Sequence, residues 1–266
     1  MSHPLTDLIA RAAAWHAAGV PTTLAEAREA LLARRFGIHY HPVLQTHSGE
    51  RLGYCAGARF ARPDGLALPP GDVFAALHTQ PALLLHAEIE LKRLALTHAP
   101  RDAQLWVCVD PDSYTAADSP SGNALVELLG SAAIVVRAVE NRPATDVRKV
   151  QAMLRGLAAH RIAISLEAES ALTGWASPLA IDADWLQMTL TPGERLRSHR
   201  RLGQLERTLA DAHCAGTRSL LSGLCDLGDL ALAAELGFTA VSGPLFDAAS
   251  FTVWESAADD RSAQVA

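Results

Sequence analysis

The sequence lacks any uninterrupted apolar run approaching the ~20 residues that span a bilayer, and no N-terminal stretch joins a basic leader to an apolar segment. The protein is therefore expected to be cytoplasmic, with no membrane association. Positive charge is also short, since 23 Lys and Arg against 29 Asp and Glu leave a formal net charge of -6. Such a balance supplies no global attraction, so direct binding of a nucleic-acid polymer is not expected. The local group Arg195, Arg197, Arg200 and Arg201 reads as a solvated helix face. Cysteine is scarce: Cys55, Cys108, Cys214 and Cys225 are spread over 266 residues, without a close Cys-x-x-Cys or Cys-x-x-His spacing. Those thiols are expected to be reduced and not to form a disulfide framework. Long low-complexity linkers and internal repeats are missing as well, which argues for one main domain.

What the sequence does contain is apolar residues, 49% of the chain against 20% charged, enough to bury one large core. Residues 1–35 read as a helical extension: Leu5, Leu8, Ile9, Ala12 and Trp15 recur at helical spacing, Gly19 and Pro21 break the pattern, and Thr23 with Glu26 forms a capping box for a second helix. This pair is expected to cover the main domain, with a partner-binding arm as the alternative. From Ile38 onward short apolar runs alternate with helical patterns. Strands are expected at 38–44, 53–60, 105–109, 134–139, 162–166, 185–188, 219–221 and 240–242. Helices are expected at 81–97, 144–160, 192–215 and 227–236. The alternation predicts a parallel α/β sheet, and about eight strands favour a closed barrel over residues 36–254, followed by a polar tail at 255–266.

Several segments carry a resemblance along this pattern. Tyr40-His41-Pro42-Val43 opens it, Gly49-Glu50 leads into Gly53-Tyr54-Cys55-Ala56-Gly57-Ala58-Arg59, and Leu68-Pro69-Pro70 follows. Val107-Cys108-Val109-Asp110-Pro111, Val136-Arg137-Ala138-Val139-Glu140, and Glu235-Leu236-Gly237-Phe238 leading into Val241-Ser242-Gly243-Pro244-Leu245-Phe246 come in the same order. Together these segments resemble the EAL family of bacterial cyclic di-GMP phosphodiesterases over roughly residues 38–251. The resemblance implies an EAL-type modified TIM (β/α)8 barrel, and hydrolysis in that family uses two hard divalent cations held by oxygen ligands at the strand ends.

The positions that the resemblance assigns to that chemistry are changed one after another. Cys55 stands for the signature glutamate, Cys108 for an asparagine and Arg137 for a glutamate. Ser165 and Leu166 stand for an aspartate pair, Gln187 for a lysine, and Ser222 and Cys225 for two glutamates. A guanidinium at a cation position adds repulsion to the loss of a ligand. Glu140 remains of the acidic set, while Asp110, Glu167 and Glu169 fall outside the matching positions and are expected to serve loops. No cofactor and no family-type metal are therefore expected, and the chain is read as catalytically inactive.

Two binding roles stay open for the survivors. Arg59 matches the family arginine that contacts a ligand phosphate, with a surface ion pair as the other reading. Arg137 either touches a phosphate in place of the cation or compensates within a remodelled pocket. Cys55, Cys108 and Cys225 around one mouth suggest a soft-metal or redox site, against which stands the usual role of buried cysteine as apolar filler. The histidines, among them His39, His41, His78 and His86, are read as scattered groups meeting local polar needs. The resulting expectation is a regulatory protein of the motility and biofilm type that acts by binding another, unidentified regulatory protein. A metal-independent cyclic di-GMP receptor is the alternative, and a homodimer stays open.

Overall fold

The computed structural model describes residues 21–120, 122–130, 133–139, 146–167, 183–190 and 199–255, with backbone only at 199–201 and 204. Across a short turn Gln45 donates its N–H to the Glu50 carbonyl, and Gly49 takes φ 70°, a left-handed conformation that glycine enters without a Cβ clash. So short a turn can join only antiparallel neighbours. Strands β1 (Phe36–Gln45) and β2 (Arg51–Ala61) accordingly form a hairpin, with His41 opposite Cys55 and Gly37 opposite Arg59. The expected parallel sheet thus carries one antiparallel strand, β1.

The remaining barrel strands run parallel to one another: β3 (Gln104–Val109), β4 (Ile134–Ala138), β5 (Ala163–Glu167), β6 (Trp185–Thr189), β7 (Arg218–Ser222) and β8 (Ala240–Ser242). β2 joins them parallel to β3, and β8 returns antiparallel to β1, which closes an eight-stranded barrel. A further strand, β9 (Phe251–Trp254), pairs with the first half of β1 outside the ring.

Helices cover the outside: α1 (Leu24–Leu32), α2 (Pro70–Leu77), α3 (Pro81–His98), α4 (Pro111–Ala116), α5 (Ala124–Leu129), α6 (Val147–Ala159), α7 (His199–Cys214) and α8 (Leu227–Glu235). The expected capping box forms on α1. Glu26 donates its N–H to Thr23 Oγ1 at 3.2 Å, and Thr23 donates its N–H to Glu26 Oε2 at 2.9 Å. The buried stripe Ala27, Ala30 and Leu31 faces the core. The first predicted helix of the extension lies outside the described residues. Among the described residues no helix is long and apolar enough to cross a membrane.

Strand period two divides the side chains between two cores. Leu105, Val107 and Val109 of β3 face the helices, whereas Trp106 joins Val43, Val135, Trp185, Leu220 and Ala240 inside the ring. The Trp106 and Trp185 rings meet edge-on, 5.2 Å apart, and the Arg218 guanidinium lies 4.3 Å from the Trp185 ring centre. Those two indoles fill the interior below the C-terminal strand ends.

Gly53 sits where β2 presses against β3: a Cβ there would stand 1.9 Å from the Gln104 carbonyl oxygen and 2.9 Å from the Trp106 ring. Gly53→Ala is therefore expected to cost about 2–3 kcal/mol, because backbone cannot yield as a side chain does. Urea denaturation measures the loss, and a variant as stable as the parent would show that the strand contact is looser than drawn.

Candidate functional site at the barrel mouth

At the C-terminal strand ends the inward side chains surround a cavity of about 330 Å³, with Cys55, Cys108, Arg137, Gln187 and Ser222 in its wall. Five positions singled out by the sequence thus converge, because each lies on the inward face of its strand. Ser165 is fully buried on β5, its Oγ without a hydrogen-bond partner. Leu166, one residue on, faces the opposite way and packs into the core beneath the helices, so it does not belong to the mouth. Cys225 is also misplaced by sequence reasoning. It is exposed on the loop after β7, donates its N–H to Asp229 Oδ2 at 3.0 Å, and is not in the wall that Cys55 and Cys108 share. Glu140 and Glu169 lie outside the described residues.

Arg137 holds the centre. Its Nη1 donates to Glu167 Oε1 at 2.6 Å and its Nη2 to Cys108 Sγ at 3.0 Å. Cys108 and Glu167 keep the guanidinium charged, raising its pKa above the ordinary arginine value. Thr189 Oγ1 also donates to Glu167 Oε1, at 3.3 Å, and lies 3.0 Å from Ser222 Oγ, which in turn accepts from Gln187 Nε2 at 3.1 Å. Glu167, expected to serve a loop, is instead the last residue of β5 and the carboxylate that anchors Arg137. Its signal was available in the sequence, two residues after Ser165 on the same strand face.

Burial pushes the Cys55 thiol up to about 12, so it is protonated at neutral pH. Burial and the nearby Asp229 and Asp226 also raise the Cys225 thiol. Alkylation of the native protein at pH 8 followed by peptide mass spectrometry is expected to modify Cys214 first and Cys225 more slowly, with Cys55, half-buried in the cavity wall and protonated, reacting more slowly still. Modification of Cys55 ahead of Cys214 would contradict its raised thiol pKa. Among the described residues, two thiols, an amide, a hydroxyl and a fixed cation, with the Glu167 carboxylate engaged by Arg137, do not make a ligand set for hard divalent ions, which take converging anionic oxygens. Those described residues therefore do not fit the metals that the resemblance implies.

Arg59, on β2, is partly buried at the rim. Its Nη1 donates to the Ala58 carbonyl at 3.0 Å, and its Nη2 lies 3.4 Å from His41 Nε2. Burial lowers its pKa, offset by Asp247. His41 is lowered to about 4 by burial and then by Arg59, and His39 to about 4 by burial, His41 and Arg59. These histidines, read as scattered, share one face of β1 with the carboxylate of Asp247 beside them. Their i, i+2 spacing on a strand was the signal.

A second cavity of about 380 Å³ lies between β2 and the helices α2 and α3, walled by Phe74, Leu91 and the buried pair Glu88 and Lys92. Asp110 faces it too. It caps α4 by accepting the Asp112 N–H at 2.8 Å and lies 2.9 Å from His78 Nε2, so it serves a helix start. Pairing of β2 with β3 stops at Ala56 and Val107, and Gly57, Cys108 and Arg137 border both cavities.

No protein-family model and no curated protein matches this chain. Solved structures do resemble it. The PaMucR phosphodiesterase in its c-di-GMP complex aligns with TM-score 0.67 and 20% identity, covering 84% of this chain and 95% of that one. The FimX EAL domain from Pseudomonas aeruginosa, bound to c-di-GMP, gives 0.64 and 17%, over 83% and 93%. The Bacillus subtilis YkuI protein, which has an EAL domain and is in complex with c-di-GMP and calcium, gives 0.68 and 15%, over 88% and 59%. With one antiparallel strand and seven parallel ones closed into a ring, the fold is that of an EAL-type barrel.

Proposed function

We propose that this EAL-type barrel is a non-hydrolytic component of cyclic di-GMP signalling that acts by binding another protein. The observation that carries the reading is the Arg137 guanidinium, held by Glu167 and Cys108 at the mouth where the fold's hydrolysis would call for cations. The signalling context is supported by the neighbours, whose complexes contain c-di-GMP. A protein-binding role is supported at the far side of β1. There β9 is an edge strand, Trp254 is 49% exposed, and Leu32 at the end of α1 is 59% exposed. The bond from Arg34 Nη2 to Glu255 Oε1, 2.7 Å, brings those two segments together. Edge strands with an exposed aromatic offer both backbone pairing and an anchor to a partner chain.

The test is calorimetric titration with cyclic di-GMP, with and without Mn²⁺, and analysis of the mixture for linear dinucleotide. No product is expected in either case, and metal-dependent cleavage would overturn the non-hydrolytic reading. The receptor alternative is favoured by Arg59 and Arg137 facing one rim and mouth. Micromolar, metal-independent binding that disappears in Arg59→Ala would establish it. Partner capture that survives in the parent and fails in Trp254→Ser is the result expected for the protein-binding reading.

A further inference from the structure

We propose that His39, His41 and Asp247 form a binding site for one divalent transition-metal ion of the zinc class. His39 and His41 alternate along β1 and so project from the same face, their ring centres 4.1 Å apart. Asp247 arrives from the turn Pro244–Ala249 that follows β8, the antiparallel neighbour of β1. Its Oδ1 lies 3.5 Å from His41 Nδ1, and one ligand atom from each of the three residues falls within 4.8 Å of the others.

Two further observations point to a ligand. His41 Nδ1 is buried without a hydrogen-bond partner, a cost that native structures rarely leave unanswered. Thr252 stands opposite His39 across the β1–β9 pair, with its Oγ1 2.6 Å from His39 Nδ1. A hydroxyl at that nitrogen orients the ring and leaves Nε2 to ligate, the outer support that metal-binding histidines usually have.

Zinc binds nitrogen and oxygen at roughly 2.0–2.2 Å, so the three groups must draw together by about 1 Å, which an exposed Asp247 rotamer permits. Two imidazoles and one carboxylate select borderline ions over Mg²⁺ and leave a coordination position open. Arg59 faces the same cluster, and its charge opposes the ion. None of the three ligands coincides with the positions of the family cations, and the site stands independently of the proposed function. Because His41 also walls the mouth cavity, a bound ion would make that wall electropositive.

The experiment is titration of the metal-stripped full chain with Co²⁺, read by visible d–d absorption, with Zn²⁺ and Mg²⁺ as competitors. A single Co²⁺ per chain, displaced by Zn²⁺ and not by Mg²⁺, is expected. His39→Ala and Asp247→Ala should each weaken it about 100-fold, and Thr252→Val about tenfold. Arg59→Met should tighten it, a gain that misfolding cannot mimic. Absence of the absorption band in the parent, or its persistence in both ligand variants, overturns the proposal.

Discussion

Trp106→Ala is expected to lower the stability of the barrel by about 3–5 kcal/mol, read as a shift of the urea midpoint at unchanged slope. Trp106 is 3% exposed and Trp185 1%, and the two stack edge-on inside the ring with no helix side chain between them. Removing one indole leaves a void that neighbouring strands cannot fill without breaking their ladders, so little collapse can recover the loss. The Trp106 Nε1 has no hydrogen-bond partner, which makes the indole a packing element. Trp106→Phe should accordingly cost far less, about 1 kcal/mol or under, since it keeps an aromatic ring and deletes an unpaired donor. A double-mutant cycle with Trp185→Ala should show coupling of about 0.5–1.5 kcal/mol for the edge-on pair. A Trp106→Ala loss below about 1 kcal/mol would mean that the interior layer is not what holds the ring together.

The same packing explains which parts of the fold could be read in advance. Runs such as Leu105 to Val109, and Ile134 to Val136 ahead of Arg137, are buried on the helical side and filled by bulky groups within, so they stand out as apolar segments, and the bounds of their strands fall within a residue or two of the expectation. Helix α4 went unseen because its six residues give less than two turns of periodicity, and its start is set by a cap, Asp110, whose burial is tertiary. β9 was hidden for a different reason: it alternates half-buried and exposed positions and acquires its role only by pairing with β1.

At the mouth, strand parity decided what was legible. Cys55, Cys108, Arg137, Gln187 and Ser222 all share the inward parity, so a linear reading placed them together. Leu166 carries the other parity, and Cys225 lies beyond the strand end where parity no longer applies. Glu167 and Asp247 were missed because each gains its meaning from a residue far away in sequence, Arg137 and His41 respectively.

Arg137→Glu is expected to make the stability of the protein depend on Mg²⁺ more strongly than that of the parent. In the parent the guanidinium neutralises Glu167 and occupies the centre of the mouth. Exchanging it for a carboxylate places two anions on neighbouring strands, β4 and β5, where Arg137 is the register partner of Ser165 and Glu167 projects two residues further along. Without a cation those carboxylates repel, so their pKa values rise in the fold above the unfolded values near 4. A carboxyl whose folded pKa is raised loses stability as pH climbs from the unfolded value through the folded one. The variant should therefore melt lower at pH 7 than at pH 4.5, relative to the parent. Mg²⁺ then gains a pair of oxygen ligands, and at 100 times its Kd it would restore about 2.7 kcal/mol by mass action. Mg²⁺ is the informative ion because the imidazole cluster on β1 discriminates against it. Thermal melts of parent and variant, each with and without Mg²⁺ at both pH values, decide the matter. Equal Mg²⁺ stabilisation of the two proteins would show that Arg137 is not what keeps hard cations out of this barrel.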